Sequence, residues 1–242
     1  MLRLIFVFYS GEDMYDNYTQ TQQSVRSVIQ GVFAWMAVAL MLTGLTAYGV
    51  ATNPSLHAAV FTKPWVFMTL VVLQLVVVLL LSLLIFRLSF SAALALFILY
   101  AILTGATLSV IFLIYTAGSI AATFFVAAGM FASMAVYGAI TKHDLTSMGS
   151  LLGMMLWGII LALIVNLFLK SPMLDLITAI IGVIVFAGLT AYDMQKIKTI
   201  AAQLSAQDES TQKIMLIGAL QLYLDFINLF LSLLRIMGRR KE

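Results

Sequence analysis

Charge is absent from long stretches of this chain: Ser27–Thr62, Pro64–Phe86, Leu88–Thr141, Leu145–Leu169 and Leu176–Tyr192 contain no Asp, Glu, Lys or Arg. A helix needs about 20 apolar residues to cross the hydrocarbon core of a bilayer, and these stretches are of that order. They predict six spans, near Val28–Val50, Trp65–Phe86, Ala92–Tyr115, Ile120–Ile140, Met148–Leu169 and Met173–Tyr192. Leu88–Thr141 is too long for one helix, and its break falls at Thr116-Ala117-Gly118-Ser119, a turn-like cluster of small residues. Asn53-Pro54 and Lys63-Pro64 bracket the first connection, and Lys170-Ser171-Pro172 places proline where a helix starts. The longest polar linker is Lys196–Lys213, and a seventh apolar segment, Ile214–Met237, follows it. The fold class is therefore an all-α polytopic membrane protein. Residues 1–27 are expected to be a tail without a fold of its own, with Met14 an alternative translation start. Residues 28–237 form the transmembrane domain, and 238–242 a basic tail.

Composition agrees with that pattern. The chain is 63% hydrophobic and 10% charged, whereas soluble domains are about half apolar and a quarter charged. With no cysteine there is no disulfide, thiolate metal site or thiol nucleophile. The net charge of +3 resides in loops and tails, and no basic-aromatic surface points to nucleic acid. His57 and His143 fall on opposite sides of the membrane and cannot share a metal. Lysine and arginine counts favour a cytoplasmic N-terminus, because Arg3, Arg26, Arg87, Lys142, Lys196, Lys198 and Lys213 face only Lys63 and Lys170 across the first six spans. A full seventh crossing would move Arg235, Arg239, Arg240 and Lys241 to the far side. The last segment thus either crosses against its own basic tail or folds back.

Within that segment Gly218, Gln221, Asp225, Asn228, Ser232 and Arg235 follow one another at steps of three and four residues. At about 100° per residue they occupy one face. Such a stripe belongs at the centre of a bundle, turned inward from lipid. For Gln221, Asn228 and Ser232 the plain role is hydrogen bonding between helices. Asp225 asks for more, because a carboxylate at a helix centre costs roughly 2.5–3.5 kcal/mol and an asparagine would supply the same bonds uncharged. Asp193 ends the sixth span near Lys196 and Lys198 and by itself suits an interfacial acid. A straight antiparallel pairing puts Asp225 roughly 16 Å deep from Ile214 and leaves the two acids apart. They meet only if helix six ends deeper, helix seven starts deeper, or one is broken. In contact they would titrate as one unit sharing a proton. Ionised, with Gln221, Asn228 and backbone carbonyls, they would offer oxygens to Ca²⁺, which takes about six to eight. Arg87, at the end of the second span, is a candidate latch for either acid, or else an anchor snorkelling to the interface. Gly105 with Ser109, Gly129 with Ser133 and Gly149 with Gly153 have the spacing that brings helices close in lipid. The many methionines suit adaptable packing.

Two segments also carry a family resemblance. Gly188-Leu189-Thr190-Ala191-Tyr192-Asp193-Met194-Gln195-Lys196 and Leu222-Tyr223-Leu224-Asp225-Phe226-Ile227-Asn228-Leu229-Phe230, with Leu234-Arg235, resemble the Bax inhibitor-1 family. The similarity runs from about Gln30 to Gly238 and is closest to the bacterial inner-membrane branch. It implies a seven-helix bundle with the last helix central, and a pH-sensitive calcium leak. It implies also that Asp193 and Asp225 are the pH-sensing pair and Arg87 the latch. Where some members carry an acid in the second helix this chain has Gln74. Some bacterial relatives modulate a membrane protease, so a membrane-protein partner is the competing expectation, beside lipid, protons and calcium. Intramembrane aspartyl proteolysis is a remote alternative. Gln221-Leu222-Tyr223-Leu224 stands where those enzymes have a Gly-x-Gly before the aspartate, and Pro-Ala-Leu is missing. The chain is not expected to be an enzyme.

Overall fold

The computed structural model describes residues 2–204 and 209–241, with side chains from Ser24 onward. The helices are α1 (Leu2–Thr52), α2 (Pro54–Phe61), α3 (Pro64–Leu84), α4 (Phe90–Leu108), α5 (Ile111–Ile114), α6 (Ala117–Ile140), α7 (Thr146–Leu169), α8 (Pro172–Ala201) and α9 (Glu209–Met237). Seven stretches are long and apolar enough to cross a membrane: Ser24–Thr52 of α1, α3, α4 with α5, and α6 to α9. The expected tail lies, up to residue 23, outside the described side chains, and Ser24–Ser27 belong to the first span.

Local chemistry sets the helix ends. The Asn53 side chain accepts hydrogen bonds from the backbone amides of Ser55 and Leu56, and Pro54 opens α2. Ser89 caps α4 through the Ala92 amide, and Ser171 caps α8 through that of Leu174. Lys170 adopts a left-handed conformation, φ 49°, to end α7, and the Asn166 side chain accepts from the Ser171 amide across that turn. The expected break at Thr116 is present: α5 closes at Tyr115 and Thr116 is the N-cap of α6.

The last helix is the centre of the bundle. α9 packs against α8, α1, α6 and α4, whereas α3 rests on α4 and α7 on α8 at the periphery. Leu79 on α3 and Phe168 on α7 are correspondingly turned outward, as they can be in a lipid solvent. Close approach depends on small residues. A Cβ on Gly138 of α6 would collide with the Ala191 carbonyl of α8, and one on Gly105 of α4 would lie 2.5 Å from the Thr43 carbonyl oxygen of α1. Gly149 abuts the Tyr192 ring, but Gly129 and Gly153 face open space. The glycine–serine spacing therefore marks packing sites at some positions and lipid-facing ones at others.

Two boundaries differ from expectation. α8 continues to Ala201 instead of stopping at Tyr192, and α9 begins at Glu209. Lys196, Lys198 and Thr199 are exposed while Ile197 and Ala201 are buried. Lys196 and Lys198, expected in a linker over Lys196–Lys213, are instead the outer face of an amphipathic helix end. The last segment is also long and apolar enough to cross. Its 29 residues span roughly 44 Å at 1.5 Å each, and the basic tail docks on the α5–α6 connection. The Thr116 amide donates to the Arg239 carbonyl (3.0 Å), the Lys241 amide to the Ile114 carbonyl (2.8 Å), and Tyr115 and Arg240 form an isolated antiparallel bridge.

Gly138→Ala should destabilise the protein by about 1–3 kcal/mol, the usual cost of overpacking against backbone, lowering its melting temperature in detergent. Gly129→Ala, with open space around it, should leave that temperature unchanged.

Candidate functional site

The α8–α9 interface sets the geometry of the two aspartates. Gly218 of α9 lies against Ile197 of α8, and Gly182 of α8 against the Ser232 hydroxyl of α9. Counting back four residues from Ile197 to Asp193 matches four forward from Gly218, to Leu222. Asp225 is three residues beyond, an offset of about 4.5 Å. Each Cα–Cβ bond tilts toward its own helix N-terminus, and the helices run antiparallel. Asp193 therefore leans along the axis toward Asp225 while Asp225 leans back toward it. The two carboxyl groups come within hydrogen-bonding reach of each other.

The contact expected to fail for straight helices forms because α8 extends eight residues past Asp193. Asp193 is thereby an interior helical residue and not a terminal one. Asp225 is 5% exposed and Asp193 half-buried. Asp225 Oδ2 is buried and meets no hydrogen-bond donor. Two carboxylates can bond directly only through a proton held between them, so this oxygen awaits a proton or a cation.

The remaining stripe residues divide. Asn228 Nδ2 donates to the Leu224 carbonyl of its own helix at 2.8 Å and is not turned to the pair. Gln221 is half-buried. Ser232 is fully buried with its hydroxyl unbonded against Gly182, a packing contact. Arg235 reaches Asp175 of α8 at 3.3 Å, closing the far end of the α8–α9 interface. Arg87 is exposed in the turn after α3, its amide bonded to the Leu84 carbonyl, and among the described residues it pairs with neither aspartate. This placement suits an interfacial anchor. No group of three or more His, Asp or Glu side chains that could hold a metal ion occurs among the described residues. A divalent cation at the pair would take its remaining ligands from carbonyls or water.

A second polar cluster lies on the opposite face of α9. The buried Tyr223 hydroxyl meets Thr43 Oγ1 at 2.7 Å, and Thr43 in turn donates to the Ala101 carbonyl. Tyr100 stacks edge-on against Tyr223 with centroids 5.9 Å apart, and Thr107 donates to Gln74 Oε1 at 3.0 Å. The sequence stripe omits this cluster because tyrosine and threonine pass for apolar packing residues in a hydropathy pattern. The signal available was Tyr223 itself, a phenol in mid-span that needs a partner.

Residues 25–242 match the family model described as inhibitor of apoptosis-promoting Bax1. The chain is 47% identical over 227 residues to the inner membrane protein YbhL of Escherichia coli K12, covering 93% of this chain and 97% of that one. It is 43% identical to a protein of Borreliella burgdorferi, covering 93% and 98%. A Streptococcus pyogenes membrane protein is 31% identical, covering 92% and 96%.

Asp225→Asn, whose amide can donate to Asp193 in place of the shared proton, should stay within about 0.5 kcal/mol of wild type. Asp225→Ala, which removes the bond and leaves a void, should cost about 1–3 kcal/mol. Tyr223→Phe should cost about 1 kcal/mol for its lost hydrogen bond. Thermal unfolding in detergent checks all three.

Proposed function

The chain belongs to the Bax inhibitor-1 family, and from that membership and its buried acidic pair we propose a pH-sensitive calcium leak channel of the bacterial inner membrane. The single observation carrying this reading is the contact between the Asp193 and Asp225 carboxyl groups on the central helix and its neighbour. Burial of the pair in an apolar bundle is tolerated only with a proton, a counter-charge or a bound cation. With one proton shared, the pair is a single negative unit that holds α8 and α9 together. With that proton gone, two like charges in contact repel at short range, and the same oxygens become ligands for a hard cation.

Protons and calcium thus compete for one site. Competition fixes the sign: divalent-cation occupancy of the pair falls as pH falls, and Ca²⁺ favours the deprotonated form. The buried Asp225 Oδ2 without a donor is the atom at which the exchange takes place. Arg87 lies apart from the pair, so the proton and the packing of α8 on α9 form the gate in this arrangement. The inner-membrane location follows the name of the Escherichia coli relative. A cytoplasmic N-terminus remains the orientation favoured by the first six spans. No catalytic role is assigned to the aspartates.

Vesicles loaded with a calcium-sensitive dye test the proposal. Wild-type protein should conduct Ca²⁺ at a rate that changes between pH 6 and pH 8, conditions chosen for the assay. Asp193→Asn and Asp225→Asn should each abolish the pH response, and Arg87→Gln should retain it. A pH response that survives both aspartate changes removes the pair from the gate. Flux equal to that of protein-free vesicles under every condition would assign the chain to non-conducting regulation of another membrane complex.

A further inference from the structure

On the membrane face where α6 and α8 end and α7 begins, a cleft of about 800 Å³ opens beside the first span. Lys142, Lys196 and Lys198 line it, against a single acid, Asp144. The Asp144 carboxylate is already engaged: the Thr146 hydroxyl and amide bond it and hold it below the ordinary carboxylate range. Two further side chains fix the walls. Lys198 Nζ donates to the Ala139 carbonyl at the end of α6 (2.6 Å). Gln195 grips the α6–α7 connection from both sides, donating to the His143 carbonyl (2.8 Å) and accepting from the Leu145 amide (2.9 Å). The cleft therefore has ordered walls and an excess of positive charge, three lysines against Asp144 and, facing Lys196, the Asp193 carboxyl.

A second hollow, of about 510 Å³, begins one helical turn further along α1 and lies at the same level on α6, where Ala139 lines it and Gly138 lines the cleft. It lies between α1, at Ile29, Phe33 and Leu40, and α6, at Ala128, Ala132 and Ala135. Met194 of α8 and Phe226 of α9 also line it, each the next residue after an aspartate of the pair. The two hollows are consecutive on three helices. Val25 leads to Ile29 on α1, Gly138 adjoins Ala139 on α6, and Gln195 adjoins Met194 on α8. Ile29 to Leu40 rises about 16 Å, close to half of a hydrocarbon core about 30 Å thick. That is the depth of one leaflet.

A basic polar cleft at the interface continuing into an apolar groove one leaflet deep matches the two ends of one molecule. We propose that this surface binds an anionic phospholipid. Its phosphate lies among Lys142, Lys196 and Lys198, and one acyl chain lies in the groove between α1 and α6. Basic pockets between helices at a membrane face recognise such head groups. Three lysines merely scattered over a face would anchor the protein but would not be joined to an apolar channel. Such binding is independent of ion conduction.

Native mass spectrometry of the purified full chain tests it, with phosphatidylglycerol and phosphatidylcholine of identical acyl chains as probes. Wild type should retain phosphatidylglycerol roughly fivefold better, the factor given by one net charge near the membrane surface. Lys142→Gln, Lys196→Gln and Lys198→Gln combined should erase that preference. Ala132→Phe, a change at an exposed position in the groove, should weaken retention of both lipids and leave the preference intact. Unchanged melting temperatures of the lipid-free variants exclude misfolding. Inorganic phosphate, added without lipid, should give no thermal protection. Equal retention of both lipids by wild type, or a preference that survives the triple change, overturns the proposal. So does an inert Ala132→Phe variant, or protection by phosphate alone equal to that by phosphatidylglycerol, which would mark a free-anion site.

Discussion

A carboxyl group deep in an apolar bundle must find its partner within the protein, and the packing around α9 meets that requirement at Asp225. Four helices close around α9, and the one that supplies the second carboxyl, α8, approaches through small residues. Gly182 admits Ser232, Gly218 admits Ile197, and Gly138 lets α6 press against the backbone of α8 at Ala191, two residues from Asp193. With no hydrophobic driving force between helices in lipid, such backbone-level contact and interhelical bonding hold the bundle together. Both also determine where the carboxyls lie. A register shift of one turn between α8 and α9 would place Asp225 against aliphatic side chains.

Much of this is legible in the sequence, for reasons that differ residue by residue. The spans are visible because charge is so expensive in hydrocarbon that its absence outlines each crossing. The central place of the last helix follows from a polar face that lipid would not solvate. The length of α8 is hidden for the opposite reason. Past Tyr192 the buried side of α8 is Met194, Ile197 and Ala201, at steps of three and four. That helical period is overlooked when a span is read from the absence of charge, because Lys196 and Lys198 interrupt it. A helix ended at Tyr192 keeps Asp193 away from Asp225, and the extra turns of α8 bring them together. Arg87 cannot be located from sequence, because an arginine at a helix end has reach enough to serve as anchor or latch. The docked C-terminal tail is illegible because its contacts are backbone hydrogen bonds to a distant connection, which leave no mark in side-chain chemistry.

The two polar faces of α9 differ in how far their needs are met. On one, the Tyr223 hydroxyl, Thr43 and the Ala101 carbonyl form a chain of bonds, beside a Thr104 hydroxyl of α4 that is buried without a partner. On the other, Asp225 Oδ2 and the Ser232 hydroxyl are buried without donors or acceptors. Satisfied networks stiffen a core, and incompletely satisfied ones are where a second arrangement competes. The helix thus has a fixed side toward α1 and α4 and a convertible side toward α8.

The anchoring of the C-terminal tail has a mechanical consequence. Beyond α9, the backbone of residues 239–241 is bonded to the α5–α6 connection, and one turn earlier Arg235 is tied to Asp175 of α8. The other end is held as well, because the Glu209 carboxylate accepts from the Phe90 amide at the start of α4. A rod tied at both ends does not slide as a piston; it bows or twists between its ties. The carboxyl pair lies between them, where a small twist is enough to separate groups that touch.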